Sequence, residues 1–319
     1  MTDATNKLVT TERKIRGPFV DFWIRLVKEK PIGVAGALIV FIALFTAIFA
    51  NLISPYDPVK SDLIARLAPP SATHILGTDN LGRDLLSRII YGARVSVYIG
   101  LAASALNVII SSFIGLISGY FGGWFDLIVQ RFVDVALSLP FLVVLIVLVG
   151  VIGTGWLQIT LVMGIFGGIL WTRIVRGAVL SMKQNVYVDS ARSIGGTVRH
   201  IIMRHILPNI LPIMIIIFSV SIAGNIMAEA SLSFLGLGVP PPNPTWGGML
   251  SSGGTLYMEQ AWWLAIFPGL ALTIVVWSVN MWGDAVRDIL DPRLRGGVGH
   301  YGTAVKRQKA KIKLQDNNA

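Results

Sequence analysis

The chain has 319 residues, no cysteine, and 14% charged against 54% hydrophobic side chains. Soluble domains carry about 25% charged residues, so the deficit points to the membrane class. The missing cysteines exclude a disulfide framework, a thiolate nucleophile and a thiolate metal site. The net charge of +10 lies in tails and loops beside apolar runs, with no soluble basic domain to hold nucleic acid. The four histidines, His74, His200, His205 and His300, lack metal-ligand spacing, so no metal site is expected.

The first predicted element lies within a tail of residues 1–31. Phe19, Phe22, Trp23, Leu26 and Val27 fall on one face of a helix, with Arg25 and Lys28 elsewhere, a pattern suited to the interface of membrane lipid. An ordinary juxtamembrane anchor fits equally well. Residues 32–53 follow without a charge and reach about 33 Å as a helix, enough to cross a bilayer. The run begins late, is span-length and lacks a small-x-small ending, so it reads as an uncleaved first span.

Residues 54–94 form a long loop that contains His74 to Arg88. It holds turn glycines, Gly77 and Gly82, and interleaved charges, Asp79, Arg83 and Asp84, before an amphipathic helix over 84–91. Local Asp–Arg pairing is expected to stiffen it at the outer face, and a structural lid with no ligand contact fits the same residues. Residues 95–286 form the core, with five further spans near 95–118, 132–153, 156–178, 208–231 and 262–283. The third carries Asp134 and Pro140, which leaves its ends the least defined. Gly115-x-x-x-Gly119 and Gly164-x-x-x-Gly168 let helix backbones approach closely. The same small residues suit static packing or helices that rock during transport.

Ionisable side chains inside spans are candidates for function by default. Asp134 is assigned to a translocation path or gate, with pairing to Arg131 one turn earlier as the structural alternative. Asn225, Met227 and Glu229 are assigned to the same path. Glu229 fits an outer gate, a contact to a bound amino group, or a bond to neighbouring backbone.

Basic residues set orientation. With both termini cytoplasmic, 22 of the 27 Lys and Arg fall on the inside, including those of the tail 287–319. The loop 232–260 has none, as an outer loop should.

The loop 181–207 is the most structured connection. Asn185 is expected to cap a helix from Val186 to Ile194, ended by Gly195-Gly196 with glycine in the left-handed region. Tyr187, Ala191 and Ile194 share a face at helical spacing, and Ser190 and Ala191 are small enough for close docking. Arg199, Arg204, His200 and His205 keep the next stretch polar, and Pro208 suits the first turn of a new span. A surface amphipathic helix with no partner satisfies the same composition.

Asp189-Ser190-Ala191, Gly195 and His205-Ile206-Leu207-Pro208 resemble the "EAA" coupling motif of permease subunits of bacterial ATP-binding-cassette (ABC) importers. That pattern is Glu-Ala-Ala, three residues, Gly, nine residues, then hydrophobic-x-Leu-Pro. Asp189 and Ser190 replace Glu and Ala but keep the acid and the small volume, and His205 replaces an aliphatic residue. His74 to Arg88 resembles a hallmark of the C-type dipeptide/oligopeptide permease subunit. So do Glu229 to Gly238, Pro240-Pro241-Pro242 with Trp246-Gly247-Gly248, and Asp284 to Arg295. The resemblance runs roughly from Phe22 to Arg295.

It implies an all-α type I ABC importer permease fold with six transmembrane helices in the bacterial inner membrane. It implies a second homologous permease subunit, two cytoplasmic ATPases and an extracytoplasmic substrate-binding protein as partners. The coupling residues it implies are Tyr187, Asp189, Ser190, Ala191, Ile194, Gly195, His205, Leu207 and Pro208. Ala191 is expected to give steric room at the ATPase. No Gly-x-x-x-x-Gly-Lys-Ser/Thr is present, so no cofactor is expected on this chain. ATP and Mg belong to the partner ATPases. Di- or oligopeptides are the implied cargo, with nickel chelates or oligosaccharides as alternatives. An ion-coupled secondary transporter is the competing class, and it needs more buried charge than these spans hold.

Overall fold

A computed structural model describes residues 18–290, with side chains from Trp23 onward. The tails 1–17 and 291–319 lie outside the described residues, and so do the side chains of Phe19 and Phe22 in the expected interfacial helix. In chain order the α-helices are α1 (Pro18–Glu29), α2 (Pro31–Ile48), α3 (Ala50–Ile53), α4 (Leu85–Phe121), α5 (Gly123–Ser138), α6 (Phe141–Ile152), α7 (Trp156–Lys183), α8 (Val186–Ser193), α9 (Val198–Ile201), α10 (Leu207–Phe234), α11 (Trp246–Met249) and α12 (Trp263–Leu290). Two π-helical turns intervene, Ile202–Ile206 before α10 and Leu250–Gly254 after α11.

Among the described residues, five helical stretches are long and apolar enough to cross a membrane: α2, α4, α7, the continuous run Val198–Phe234, and α12. The third predicted span is instead α5 and α6, bent by 95° at a short break. Pro140 is the cause. It offers no N–H to the ladder and drives the preceding residue out of the helical region, and Leu139 is extended at φ −94°, ψ 137°. The pair completes six spans if it counts as one.

Three other boundaries differ from expectation. The first span ends its main helix at Ile48 and restarts at Ala50. The amphipathic helix expected over 84–91 is the first part of α4, which runs 37 residues without interruption. Pro208 lies in the first turn of α10 as expected, but the chain is already helical from Val198. The π turn absorbs the proline: Leu207 N bonds the Ile202 carbonyl five residues back, and Asn209 Nδ2 donates to the His205 carbonyl at 2.6 Å.

The glycines of α4 and α7 interlock. A methyl group added at Gly115 or Gly119 would stand 2.8 or 2.9 Å from Val175 or Val179 Cβ, and one at Gly164 or Gly168 2.5 or 2.6 Å from Leu106 or Ile110 Cβ. Each helix thus presents its glycines to the other's branched side chains, which fixes their register. Near the chain ends, Leu26 of α1 is buried with Ala285 and Ile289 of α12, and Lys30 pairs with Asp288 at 2.5 Å. Leu26 therefore faces protein, whereas Trp23 and Val27 stay exposed.

Candidate coupling site and outer loop

α8 is a two-turn helix held by its own inner face. Val188 and Ala191 are buried in a cluster with Tyr120, Val175, Val179, Ile201 and Ile206. Ala191 thus packs against this chain and gives no room to a partner. Tyr187 is half-exposed, and Ile194 does not share the buried face: it is 87% exposed, and Val186 is 80% exposed. Gly195 has φ +81°. Gly196 N bonds the Ala191 carbonyl and Gly195 N the Arg192 carbonyl, both at 2.9 Å, which together form a Schellman ending. Asn185 takes the N-cap position of α8, but its side chain does not cap that helix. Its Nδ2 donates to the carbonyls of Ser181 and Met182 at 3.2 and 3.1 Å, closing the end of α7.

Asp189 sits in the first turn of α8, where a carboxylate complements the helix dipole. It accepts from Arg192 Nη1 at 3.1 Å. Ser190 Oγ bonds back to the Val186 carbonyl at 2.9 Å. His205 stands over Tyr187 at 6.2 Å between ring centroids and 5.5 Å from His200. Leu207 packs at the edge of the same cluster, and Pro208 is exposed. The structure therefore gathers the nine sequence-selected residues around one loop, with its apolar outer surface on Val186, Tyr187 and Ile194.

The path candidates do not converge. Asn225 is buried and donates to Ser104 Oγ at 2.9 Å. Glu229 is fully buried, one helical turn further on, and accepts from Ser233 Oγ at 2.6 Å and Ser96 Oγ at 2.9 Å, with Thr245 completing the set. Both face α4. The Glu229 carboxylate is enclosed by hydroxyls, not presented to an open space or to backbone. Met227, between them in sequence, points outward and is exposed. Asp134 pairs with Arg173 of α7 and, at 3.5 Å, with Arg131.

Sequence reasoning missed the neighbouring Asp126. It takes a two-pronged contact from Arg176, at 2.6 and 2.5 Å, and a bond from Ser118 Oγ. The available signal was geometric: two acids eight apart on α5 face two arginines three apart on α7. Tyr120 was missed as well. Lys183 Nζ donates to its carbonyl at 2.5 Å, and both Lys183 and Arg192 lie against its ring.

The outer-loop motif folds on Asp79. Its Oδ1 accepts from the backbone N–H of Leu81 and Arg83 at 2.8 and 3.0 Å. Its Oδ2 faces Arg83 Nε at 2.7 Å and Arg88 Nε at 3.4 Å. Gly77 and Gly82 take φ +79° and +72°, conformations that glycine adopts freely. Asp84 caps α4 through Ser87 N at 2.8 Å and meets His74 Nδ1 at 2.9 Å. Trp263 Nε1 pins the loop to the bundle through the Thr78 carbonyl, and Trp246 Nε1 ties α11 to α4 through the Ile89 carbonyl, each at 3.1 Å. Among the described residues no group of three His, Asp or Glu is placed to hold a metal.

Comparison with known proteins assigns this architecture. Residues 111–296 match the family model of the binding-protein-dependent transport system inner membrane component. Residues 17–70 match the N-terminal TM domain of oligopeptide transport permease C. The chain is 38% identical over 288 residues to the glutathione transport system permease protein GsiD of Pectobacterium atrosepticum, covering 90% of this chain and 95% of the relative. It is 38% identical over 271 residues to the probable D,D-dipeptide transport system permease protein DdpC of Escherichia coli, covering 85% and 91%. Multiple apolar helices and these relatives describe a multi-pass inner-membrane transport component that works with other subunits, not an enzyme. The chain belongs to the binding-protein-dependent transport system inner membrane component family, as a peptide-type ABC importer permease subunit.

Proposed function

We propose that this permease lines, with a second homologous subunit, an import path for di- or oligopeptides, and that α8 receives the stroke of a cytoplasmic ATPase. One observation carries the reading. α8 is anchored through Val188 and Ala191 yet leaves Val186 and Ile194 almost fully exposed, an apolar surface on a rigid mount that suits a protein groove. Asp189 and Arg192 pair beside it and offer polar contacts at its rim. Both termini and α8 lie in the cytoplasm by the distribution of Lys and Arg. The outer loop 54–84 and the segment 235–262 then face an extracytoplasmic binding protein. ATP and Mg remain on the ATPase pair, which this chain's lack of a phosphate loop requires. Relatives named for glutathione and D,D-dipeptide transport support a small peptide as cargo.

The test combines co-isolation with uptake. Isolation from membranes in mild detergent should bring down two ATP-binding-cassette ATPases. Ala191→Trp, which cannot fit the buried site, and Gly195→Val, which meets a positive φ costing about 1–2 kcal/mol, should insert normally. Both should lose uptake of labelled glutathione and dialanine by vesicles that carry the wild-type activity. Wild-type uptake in both variants, or a chain that transports without any ATPase, overturns the reading.

A further inference from the structure

The two ends of α8 are held differently. Its N-terminal end follows α7 after two residues, Gln184 and Asn185. At its C-terminal end, the Arg192 guanidinium lies 5.7 Å from the centroid of the Tyr120 ring at the end of α4. Lys183 approaches the same ring at 5.5 Å and bonds the Tyr120 carbonyl. Tyr120 is buried. Two residues earlier, Ser118 bonds Asp126 of α5, which Arg176 of α7 grips with two nitrogens. The turn from α4 to α5 passes through Gly122 and Gly123, both with positive φ and open space around them. The Tyr120 ring is therefore a junction where α4, α7 and α8 meet, two residues before the elbow that leads into the bent pair α5–α6.

We infer that Arg192 is a positioning residue for energy coupling. Its contact with Tyr120 makes the far end of α8 move with the α4–α5 elbow when the ATPases close. The inference rests on the reading of α8 as the ATPase contact. Val188 and Ala191 hold α8 at rest, and Arg192 is needed only under load. Asp189 keeps the guanidinium over the ring by pairing with it from one turn earlier on the same helix. A cation over an aromatic face survives Arg→Lys and Tyr→Phe but not loss of the cation or the ring.

The chain has no cysteine, so within it only the two introduced thiols take a label, and the chain is labelled before assembly with its partners. Spin labels at Ser193→Cys on α8 and Trp124→Cys on α5, both exposed, are measured in the full complex. Distance distributions are compared without nucleotide and after ATP–vanadate trapping. With Arg192 intact, the distribution should stay narrow in both states. Arg192→Ala and Tyr120→Leu should leave the nucleotide-free distribution unchanged and broaden the trapped one. The detached population should rise roughly two- to fivefold, as expected for losing a partly exposed cation–aromatic contact. Arg192→Lys and Tyr120→Phe should restore the narrow form. A distribution in Arg192→Ala that stays narrow on trapping overturns the inference. So does equal broadening in both states, which marks a merely structural contact. ATPases that fail to co-isolate with the labelled chain carrying Arg192 overturn the docking reading beneath it.

Discussion

Replacing Gly100 with alanine tests how α4 and α10 are held together. Ser96, Gly100 and Ser104 repeat at i, i+4 and i+8, so they share one face of α4. That face meets Glu229, Ile226 and Asn225 of α10: Ser96 and Ser104 through hydrogen bonds, Gly100 through direct contact. A methyl group at Gly100 would stand 2.5 Å from Ile226 Cγ1 and 3.2 Å from its Cδ1, with the next neighbour, the Ile222 carbonyl oxygen, at 3.6 Å. Carbon atoms prefer about 3.5–4.0 Å, so Gly100→Ala should destabilise by about 1–3 kcal/mol. Ile226 is 1% exposed, and Ile226→Ala alone should cost about 2–5 kcal/mol through its cavity. The obstructing atoms all belong to Ile226 beyond Cβ. The double variant should therefore be more stable than the sum of the two by roughly 1–3 kcal/mol. Reversible unfolding in mixed detergent micelles, followed by tryptophan fluorescence, measures all four corners of the cycle. Effects that add to within about 0.5 kcal/mol, or a Gly100→Ala protein as stable as wild type, refute this account of the interface.

Two further outcomes follow from the polar contacts. Asp126→Asn should destabilise more than Asp134→Asn in the same unfolding assay. Asp126 is buried and strips Arg176 of a two-pronged partner when lost, whereas the Asp134 side chain is 39% exposed and an exposed pair contributes about 0–1 kcal/mol. A reversed ranking would show that the elbow is not held by Asp126. Trp263→Phe keeps an aromatic ring, though a smaller one, and removes the donor to the buried Thr78 residue's carbonyl, at a cost of about 1–3 kcal/mol. Protease should then cut the 54–84 loop faster, and an unchanged cleavage rate would count against indole pinning.

Much of the fold was legible because membrane spans announce themselves locally. A helix in lipid satisfies its own backbone, so an apolar run of sufficient length determines an element without knowledge of its neighbours. The α8 ending was legible for a related reason: a glycine pair at the end of a short helix needs only its own φ and two local hydrogen bonds. Asn185 was misassigned because an amide side chain can serve either flanking helix, and only the achieved geometry shows that it closes α7. Ala191 was misplaced on the face shared by Tyr187 and Ile194 because spacing gives a helix face but not what lies opposite. The actual burial follows Val188 and Ala191, which meet Tyr120 and Val179 from distant parts of the chain.

The sequence by itself determined the all-α class, the approximate spans, the motif loops and the family resemblance, since each depends on residues adjacent in the chain. Tertiary structure alone decided which polar groups meet between helices. Asp134 pairs with Arg173 on another helix in addition to Arg131 one turn away, and Glu229 turned into a nest of hydroxyls rather than toward an opening. The 95° bend at Pro140 was likewise outside local reach. A proline states that a helix is interrupted, but the packing of α5 and α6 against their neighbours sets the angle.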